Sequence, residues 1–556
     1  MSRVVLYITG DDEAMYGGEF MFLEIHTDRR RKNPYVYGLF RETFRDSGQV
    51  RHRTRGRVTG LSLGQLEALR EFVLQGCPSG SGERCRVKDS REFGAVWAVL
   101  RTAEALGLDR MLYSRSQPWV RYALAMIVGR VVYQGSKLSL TNLWRDTALW
   151  SVCGLGEGRP DVDECYAAMD ELLSRQPAIQ KTLARKHLKD GSLVLYDVTS
   201  SYFEGEYTDS ELVDFGYNRD LKRGHRQIVI GLLTNSDGCP VGVSVYRGNT
   251  NDQKTLADRI RELKKDYGLR DIVLAGDRGM ITAARLPELS EAGIRSITAL
   301  THPQMFKLVE RKVIEPGLFD ERRIAEVHDP DTPGVRYLLC RNPLTAEKEH
   351  RTRQALIAKT REAMEKLVKS RKRRTAEELG AVVGKALARW KVGKFFTWRV
   401  RAGKLEWELG QPRVQREQSL DGCYVVRTDT AEQAFDKNAA VACYRQLTEV
   451  ERDFRQLKTV SIEIRPTYHH KDQRIEAHVF LCMLAYYIQW HMYKRLKPLF
   501  EADGKGQDRR WTFAGVLERL KGVRQETVVF DKTEVTLKTT PDDEQQHILD
   551  LLDVRL

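Results

Sequence analysis

The alternation of apolar and polar positions divides the chain into stretches of different texture. Residues 1–60 read as β-rich and basic. TyrValTyrGlyLeuPheArgGluThrPhe (35–44) and GlnValArgHisArgThrArgGlyArgVal (49–58) flank AspSerGly, which predicts a hairpin. Over 61–190 apolar residues recur at spacings of three and four, as in PheGlyAlaValTrpAlaValLeu (93–100), and predict an all-helical region. Strand patterns then fill 191–301. They are SerLeuValLeuTyrAspValThrSer (192–200), GlnIleValIleGlyLeuLeuThr (227–234), ProValGlyValSerValTyr (240–246), AspIleValLeuAlaGlyAspArgGly (271–279) and ArgSerIleThrAlaLeu (295–300). The second and third join through AsnSerAspGlyCys as a hairpin, and helices separate the later ones. Strand, hairpin, helix, strand, helix, strand is the order of a mixed α/β sheet.

Residues 302–420 break that rhythm and read as an insertion domain. Lys348–Thr375 holds eleven Lys/Arg against three Asp/Glu, with the run ArgLysArgArg at 371–374. Residues 395–409 alternate like a hairpin and carry Trp398 and Trp407, which fit a core or, alternatively, stacking on a displaced base. A strand returns at 421–429, followed by helical sequence to 498. The charged segment 499–556 reads as a C-terminal tail available for dimerisation.

Composition narrows the function classes. The chain has 556 residues, 41% hydrophobic and 30% charged, with 91 Lys+Arg against 77 Asp+Glu and a net charge of +14. That excess favours a polyanionic partner, nucleic acid before membrane. No run of about 18 apolar residues is present, and the first residues lack a basic, then apolar, leader, so a cytoplasmic protein with no membrane partner is expected. Nine scattered cysteines form no CxxC pair, and His469, His470 and His478 lack metal-ligand spacing with any cysteine. Neither GxxxxGK[ST] nor GxGxxG after a strand occurs, so no nucleotide cofactor is indicated.

Three acidic residues stand out by context. Asp197 lies in LeuValLeuTyrAspValThr, apolar on both faces as in a central strand. A carboxylate there must be paired, hydrogen-bonded or metal-bound. Asp277 lies where a buried strand meets a glycine-flanked turn, and strand carboxyl ends are where open α/β sheets bind ligands. A turn or helix cap would explain either aspartate taken alone. Glu451 lies in TyrArgGlnLeuThrGluValGluArgAspPheArgGlnLeuLys (444–458), where Leu447, Val450, Phe454 and Leu457 form an apolar stripe. Tyr444, Glu451, Arg455 and Lys458 form a second stripe, whereas Glu449 and Asp453 face away. An ordinary i,i+4 Glu–Arg pair is the alternative. In the N-terminal hairpin, Arg51, Arg53, Arg55 and Arg57 recur two apart on one strand face, which suits phosphate contacts or a charge-guarded edge.

In order, an Asp on the first strand, a hairpin, an Asp after a later strand and a Glu on a following helix match the RNase H-like fold. That fold holds two divalent ions about 4 Å apart for in-line phosphoryl transfer. The sequence resembles the DDE transposases of bacterial insertion sequences, in the subgroup with a Tyr-x2-Arg-x3-Glu-x6-Lys signature. The match rests on TyrAspValThrSerSerTyrPheGluGly (196–205), GlyAspArgGlyMetIleThr (276–282), residues 444–458, and ArgIleGluAlaHisValPheLeuCysMetLeuAlaTyrTyr (474–487); GlyAsnThrAsnAspGlnLysThrLeu (248–256) is also typical. The resemblance implies an acidic triad of Asp197, Asp277 and Glu451 holding two Mg²⁺ (or Mn²⁺) ions. It places the signature's Tyr and Lys on Tyr444 and Lys458. It also explains the long gap before Glu451 as a β-rich insertion. Leu447 stands where the signature has Arg, leaving Arg455 or Arg452 as substitutes, or that contact absent. Arg278, beside Asp277, fits a phosphate contact or a turn cap.

The expected function follows: a transposase that binds terminal inverted repeats, cleaves the DNA ends and joins the 3′-hydroxyl to target DNA. It would work as a homodimer or larger synaptic complex on double-stranded DNA. Two rivals are an RNase H-like nuclease or resolvase without strand transfer, and a DNA-binding derivative that has lost its chemistry.

Overall fold

The computed structural model describes residues 5–6, 20–28, 35–46, 49–59, 61–75, 85–217, 224–277, 280–282, 285–321, 323–370, 374–401, 404–447, 464, 467–502, 510–530 and 533–556. The first strands are β1 (Val5–Leu6), β2 (Phe20–Asp28), β3 (Tyr35–Asp46), β4 (Gln49–Thr59) and β5 (Cys85–Glu92). β2, β3 and β4 form an antiparallel sheet whose inner face, at Leu23, Phe40 and Val58, packs on Leu66 and Leu69 of the Leu63–Gln75 helix.

The helical region that follows contains long helices at Gly94–Ala105, Pro118–Val132 and Val162–His187. It is not all-helical as the periodicity predicts, because β5 interrupts it. β5 is CysArgValLysAspSerArgGlu, too polar to announce itself, and it owes its conformation to a distant partner near the C-terminus.

The central sheet begins with β6 (Ser192–Tyr202), β7 (Asp214–Phe215), β8 (Arg226–Asn235) and β9 (Pro240–Arg247). The β8–β9 turn is set by Asn235, whose side-chain oxygen accepts from the Asp237 and Cys239 amides at 3.0 and 2.9 Å. β10 (Ile272–Gly276), β11 (Ile294–Ala299), β12 (Ala325–His328), β13 (Arg336–Arg341), β14 (Phe396–Arg401), β15 (Lys404–Leu409) and β16 (Cys423–Thr428) follow. The sheet runs β12-β13-β16-β11-β10-β6-β8-β7, with β9 also on β8. β6, β10 and β11 are mutually parallel, whereas β8 runs antiparallel to β6, and β16 to β11. The protein is therefore α/β with a large mixed sheet.

Each face of this sheet carries its own core. Val194, Tyr196 and Val198 of β6 join a cluster with the three long helices and with Asp472–Arg495. Over 477–489 that last helix is buried on all sides, with Phe480 and Tyr487 fully enclosed. On the opposite face Leu193, Leu195, Val273 and Ala275 pack against Ala440, Val441, Cys443 and Leu447 of a helix over 437–447.

The segment 302–420 divides differently from the sequence reading. β12 and β13 extend the central sheet, so the separate unit is shorter than the expected insertion. It is also mainly helical rather than β-rich. Helices Pro343–Val368 and Ala376–Arg389 enclose their own cluster of Ile357, Met364, Leu379, Val383 and Leu387, closed by the β14–β15 hairpin. The basic composition of the longer helix hides an apolar stripe at Ile357, Thr360 and Met364, all buried.

The C-terminal segment is no free tail. β17 (Arg524–Phe530) and β18 (Thr533–Lys538) complete a sheet ordered β1-β18-β17-β5, and Ile548 and Leu549 of Asp543–Leu551 enter the main core. No helix among the described residues is long and apolar enough to cross a membrane.

Candidate active site

Register brings the two aspartates together. β6 and β10 are parallel neighbours, and the last pair in their ladder is Tyr196 with Gly276. Asp197 and Asp277 are the next residues on each strand, so they lie side by side, Asp197 midway along β6 and Asp277 just past the end of β10. Tyr196 is fully buried toward the main core, and its ring lies over Gly231 of β8, where any Cβ would collide with the Tyr196 hydroxyl. The pleat then turns Asp197 to the opposite face, shared with Leu193 and Leu195. Asp197 is half-buried, and its Oδ1 accepts from the Val198 amide at 2.8 Å. Asp277 is also half-buried, and its carbonyl accepts from the Met280 and Ile281 amides at 3.0 and 3.2 Å, closing a tight turn. A Cβ on Gly276 would lie 3.0 Å from Ile281 Cδ1, so that side chain would have to shift slightly to admit one.

The helix over 437–447 covers the same face. Asp436 caps it, accepting from the Ala439 amide at 2.7 Å. Tyr444 is partly buried against the cluster of Leu193, Leu195, Val273 and Ala275. Leu447, at 3% exposure, is a member of that cluster, which gives the departure from the Arg signature a physical reason: the position points into the core. Glu451, Arg455 and Lys458 lie outside the described residues, as do Arg452, Glu449, Asp453 and Arg278.

Where description resumes, Ile464 is buried, and the Thr467 carbonyl accepts from Tyr207 Oη at 3.1 Å. Tyr207 stacks on His470, with ring centroids 4.7 Å apart. The segment after Glu451 is thereby tied to the loop that leaves β6. Asp472, at the head of the next helix, accepts from the Ser210 hydroxyl and the Glu211 and Leu212 amides at 2.5, 2.9 and 3.3 Å. One turn on, burial and then Asp472 push the Glu476 carboxyl above its usual range. The GlyAsnThrAsnAsp motif lies at the β8 edge, where a Cβ on Gly248 would strike the Gln227 and Asp214 carbonyls.

The other sequence candidates fare unevenly. The β3–β4 register shifts by one between Phe40 and Arg41. Arg51 and Arg53 pair with Phe44 and Glu42, but Arg57 pairs with Leu39, so positions 51 and 53 fall on the opposite face from position 57. The expectation of one face for Arg51, Arg53, Arg55 and Arg57 is corrected by this bulge. Arg51 and Arg53 are exposed. Trp398 and Trp407 pair directly across β14–β15, with Trp407 against the local core and Trp398 39% exposed. Of the 371–374 run only Arg374 is described, and it donates to Ser370 Oγ at 3.1 Å.

Two groupings escaped the sequence because their members are far apart along the chain. His187, Cys239 and His491 bring ligand atoms within 4.8 Å of one another, a juxtaposition that the sequence spacing did not show. Burial holds His187 below its usual range and His491 at about 4. Second, Lys137 is 6% exposed and hydrogen-bonds His478, itself buried. Neither burial was readable from periodicity.

Residues 189–488 match the family model described as the transposase DDE domain. Among solved structures, a cryo-EM structure of a piggyBac transposase synaptic complex with hairpin DNA is similar at 11% identity and a TM-score of 0.30, covering 77% of this chain and 76% of that one. No curated protein matches the chain.

Proposed function

Because the chain belongs to the transposase DDE domain family, whose model spans more than half of it, we propose that it is a DNA transposase of an insertion sequence. It binds the terminal inverted repeats, cleaves the DNA ends and joins each freed 3′-hydroxyl to target DNA. The observation that carries this reading is the Tyr196–Gly276 pairing, which sets Asp197 and Asp277 side by side. The strand order β9-β8-β6-β10-β11, with β8 antiparallel, supports an RNase H-like core.

The donor set fits hard divalent cations: two half-buried carboxylates side by side on adjacent strands. Asp197, Asp277 and Glu451 would hold two Mg²⁺ or Mn²⁺ ions. When bound, such ions sharpen the attacking oxygen and neutralise charge on the leaving 3′-oxygen. The chain's own part is positioning. The core beneath Leu195, Ala275 and Leu447 fixes the carboxylate platform. Tyr444, Arg455, Lys458 and Arg278 grip the end being cut, and Arg51, Arg53, Arg55 and Arg57 add backbone contacts. In the first step water attacks the end phosphodiester and releases a 3′-hydroxyl. In the second that hydroxyl attacks a target phosphodiester, exchanging one P–O bond for another. A homodimer or larger synaptic complex brings two ends together.

The test is incubation of the protein with Mg²⁺ and DNA carrying the inverted repeats that flank its reading frame. Covalently joined end–target products are expected. Nicked ends without joined product would overturn the transposase reading in favour of a nuclease.

A further inference from the structure

A cavity of about 300 Å³ lies on the helical side of the molecule, between Pro118–Val132, Lys137–Asn142, Val162–His187 and the stretch 468–478. Its lining includes Arg130 and Lys137, at 4% and 6% exposure. Arg130 Nη1 donates to the Gln134 and Gly135 carbonyls at 2.8 and 3.0 Å, while its Nε and Nη2 are buried with no hydrogen-bond partner among the described residues. Lys137 Nζ lies 2.7 Å from His478 Nδ1, and His478 Nε2 lies 3.1 Å from the Ile464 carbonyl. A carbonyl only accepts, so the ring proton sits on Nε2 and Nδ1 accepts from the lysine. Two ammonium donors of Lys137 remain for another group.

Among the described residues no carboxylate lines the cavity. Ser136, Tyr166, Tyr468 and His469 supply its other polar side chains. Burial pulls Lys137 down to about 7 and His469 to about 3, so the histidine stays neutral and the lysine is poised to charge when an anion arrives. Buried cations without a counter-charge are costly, and an anion that enters gains both. The volume is roughly ten times the ~30 Å³ share of one liquid water, room for a phosphate with an attached group. Leu138 and Tyr468, at 50% and 65% exposure, flank an open mouth.

We propose that this cavity is a phosphate-binding site built on Arg130 and Lys137. Resting on the function proposed above, its phosphate belongs to the DNA backbone. The stretch that walls the cavity is the one tied by Tyr207 to the loop leaving β6, the strand that carries Asp197.

Inorganic phosphate titrated calorimetrically into the full chain should bind at one saturable site and raise its melting temperature. Lys137→Met keeps the side-chain volume, and Arg130→Gln keeps some donor capacity. Each should weaken phosphate by about tenfold or more, the scale of one hydrogen bond to a charged group. Lys366→Met, on an exposed helix face, should leave phosphate binding unchanged. Lys137→Met should also lower the log–log salt slope of DNA binding by about one unit. Phosphate binding with an unchanged DNA slope keeps the site and makes free phosphate its source. No saturable phosphate binding, or binding equal in wild type and Lys137→Met, overturns the proposal; Lys137→Met decides this even if Arg130→Gln fails to fold. Phosphate binding is read without cleavage, so loss of the transposase reading would leave this result standing.

Discussion

Two strand pairs carry charged residues singled out in the sequence, Asp197 and Asp277 on one and the alternating arginines on the other, and they behave differently. β6 and β10 are buried on both faces. A one-residue slip would exchange Leu193 and Leu195 with Val194 and Tyr196 between two separate cores, so the register is held from both sides. β3 and β4 are pinned at Phe40 and Val58, against Leu23 of β2, and beyond that point Arg51 and Arg53 stand in solvent. There a bulge costs little, and one bulge undoes the alternation of the arginines. A carboxylate in a doubly buried strand therefore keeps a fixed place and face. Alternating charge on a half-exposed ribbon is weak evidence even of a shared face.

The comparison breaks if the doubly buried pair proves tolerant. Leu447→Arg restores the residue that the signature carries but places an unpaired charge in the core beneath Asp197. It should cost about 3–5 kcal/mol in chemical denaturation, whereas Leu447→Met should stay within about 1.5 kcal/mol. A Leu447→Arg protein as stable as wild type would mean that the helix turns in place and the side chain reaches solvent.

A smaller effect is expected at Gly231. Alanine there meets the buried Tyr196 hydroxyl, on the sheet face opposite Asp197. A loss of about 1–3 kcal/mol in thermal or urea melts should follow, as for other overpacked cores. Unchanged stability would show that β6 yields more readily than its double burial implies.

The smallest stability effect belongs to the N-terminal hairpin. Arg51→Ala combined with Arg53→Ala should leave the melt within about 0.5 kcal/mol, as exposed substitutions do. The same double change should lower the log–log salt slope of DNA binding by about two units. An unaltered slope would make these arginines guards of an exposed strand and nothing more.

The legibility of the sequence follows the same physics. β6, the β8–β9 hairpin and β10 were readable because burial on both faces leaves long apolar runs, and Asp197 and Asp277 were conspicuous against them. β5 was not, since a polar strand takes its conformation from β17, over four hundred residues away. The same pairing made the segment after 499 look like a tail. The insertion misled through composition: the charges of Pro343–Val368 outnumber the few residues that it buries. Lys137 and the His187–Cys239–His491 grouping depend on packing between distant segments, which no spacing rule reaches.

The central claim is that Asp197 and Asp277, with Glu451, form one reacting centre. Its most direct test is Mg²⁺-dependent end cleavage and joining on inverted-repeat DNA by Asp197→Asn, Asp277→Asn and Glu451→Gln, with Glu449→Gln and Asp453→Asn as controls. Each triad variant should lose both steps together, by on the order of 10³-fold, while DNA binding persists. Its melting temperature should hold or rise, because repulsion among clustered carboxylates is relieved. Both controls should cut and join normally. Asp277→Asn cleaving at the wild-type rate, or Glu451→Gln active while Glu449→Gln or Asp453→Asn is dead, would contradict the account.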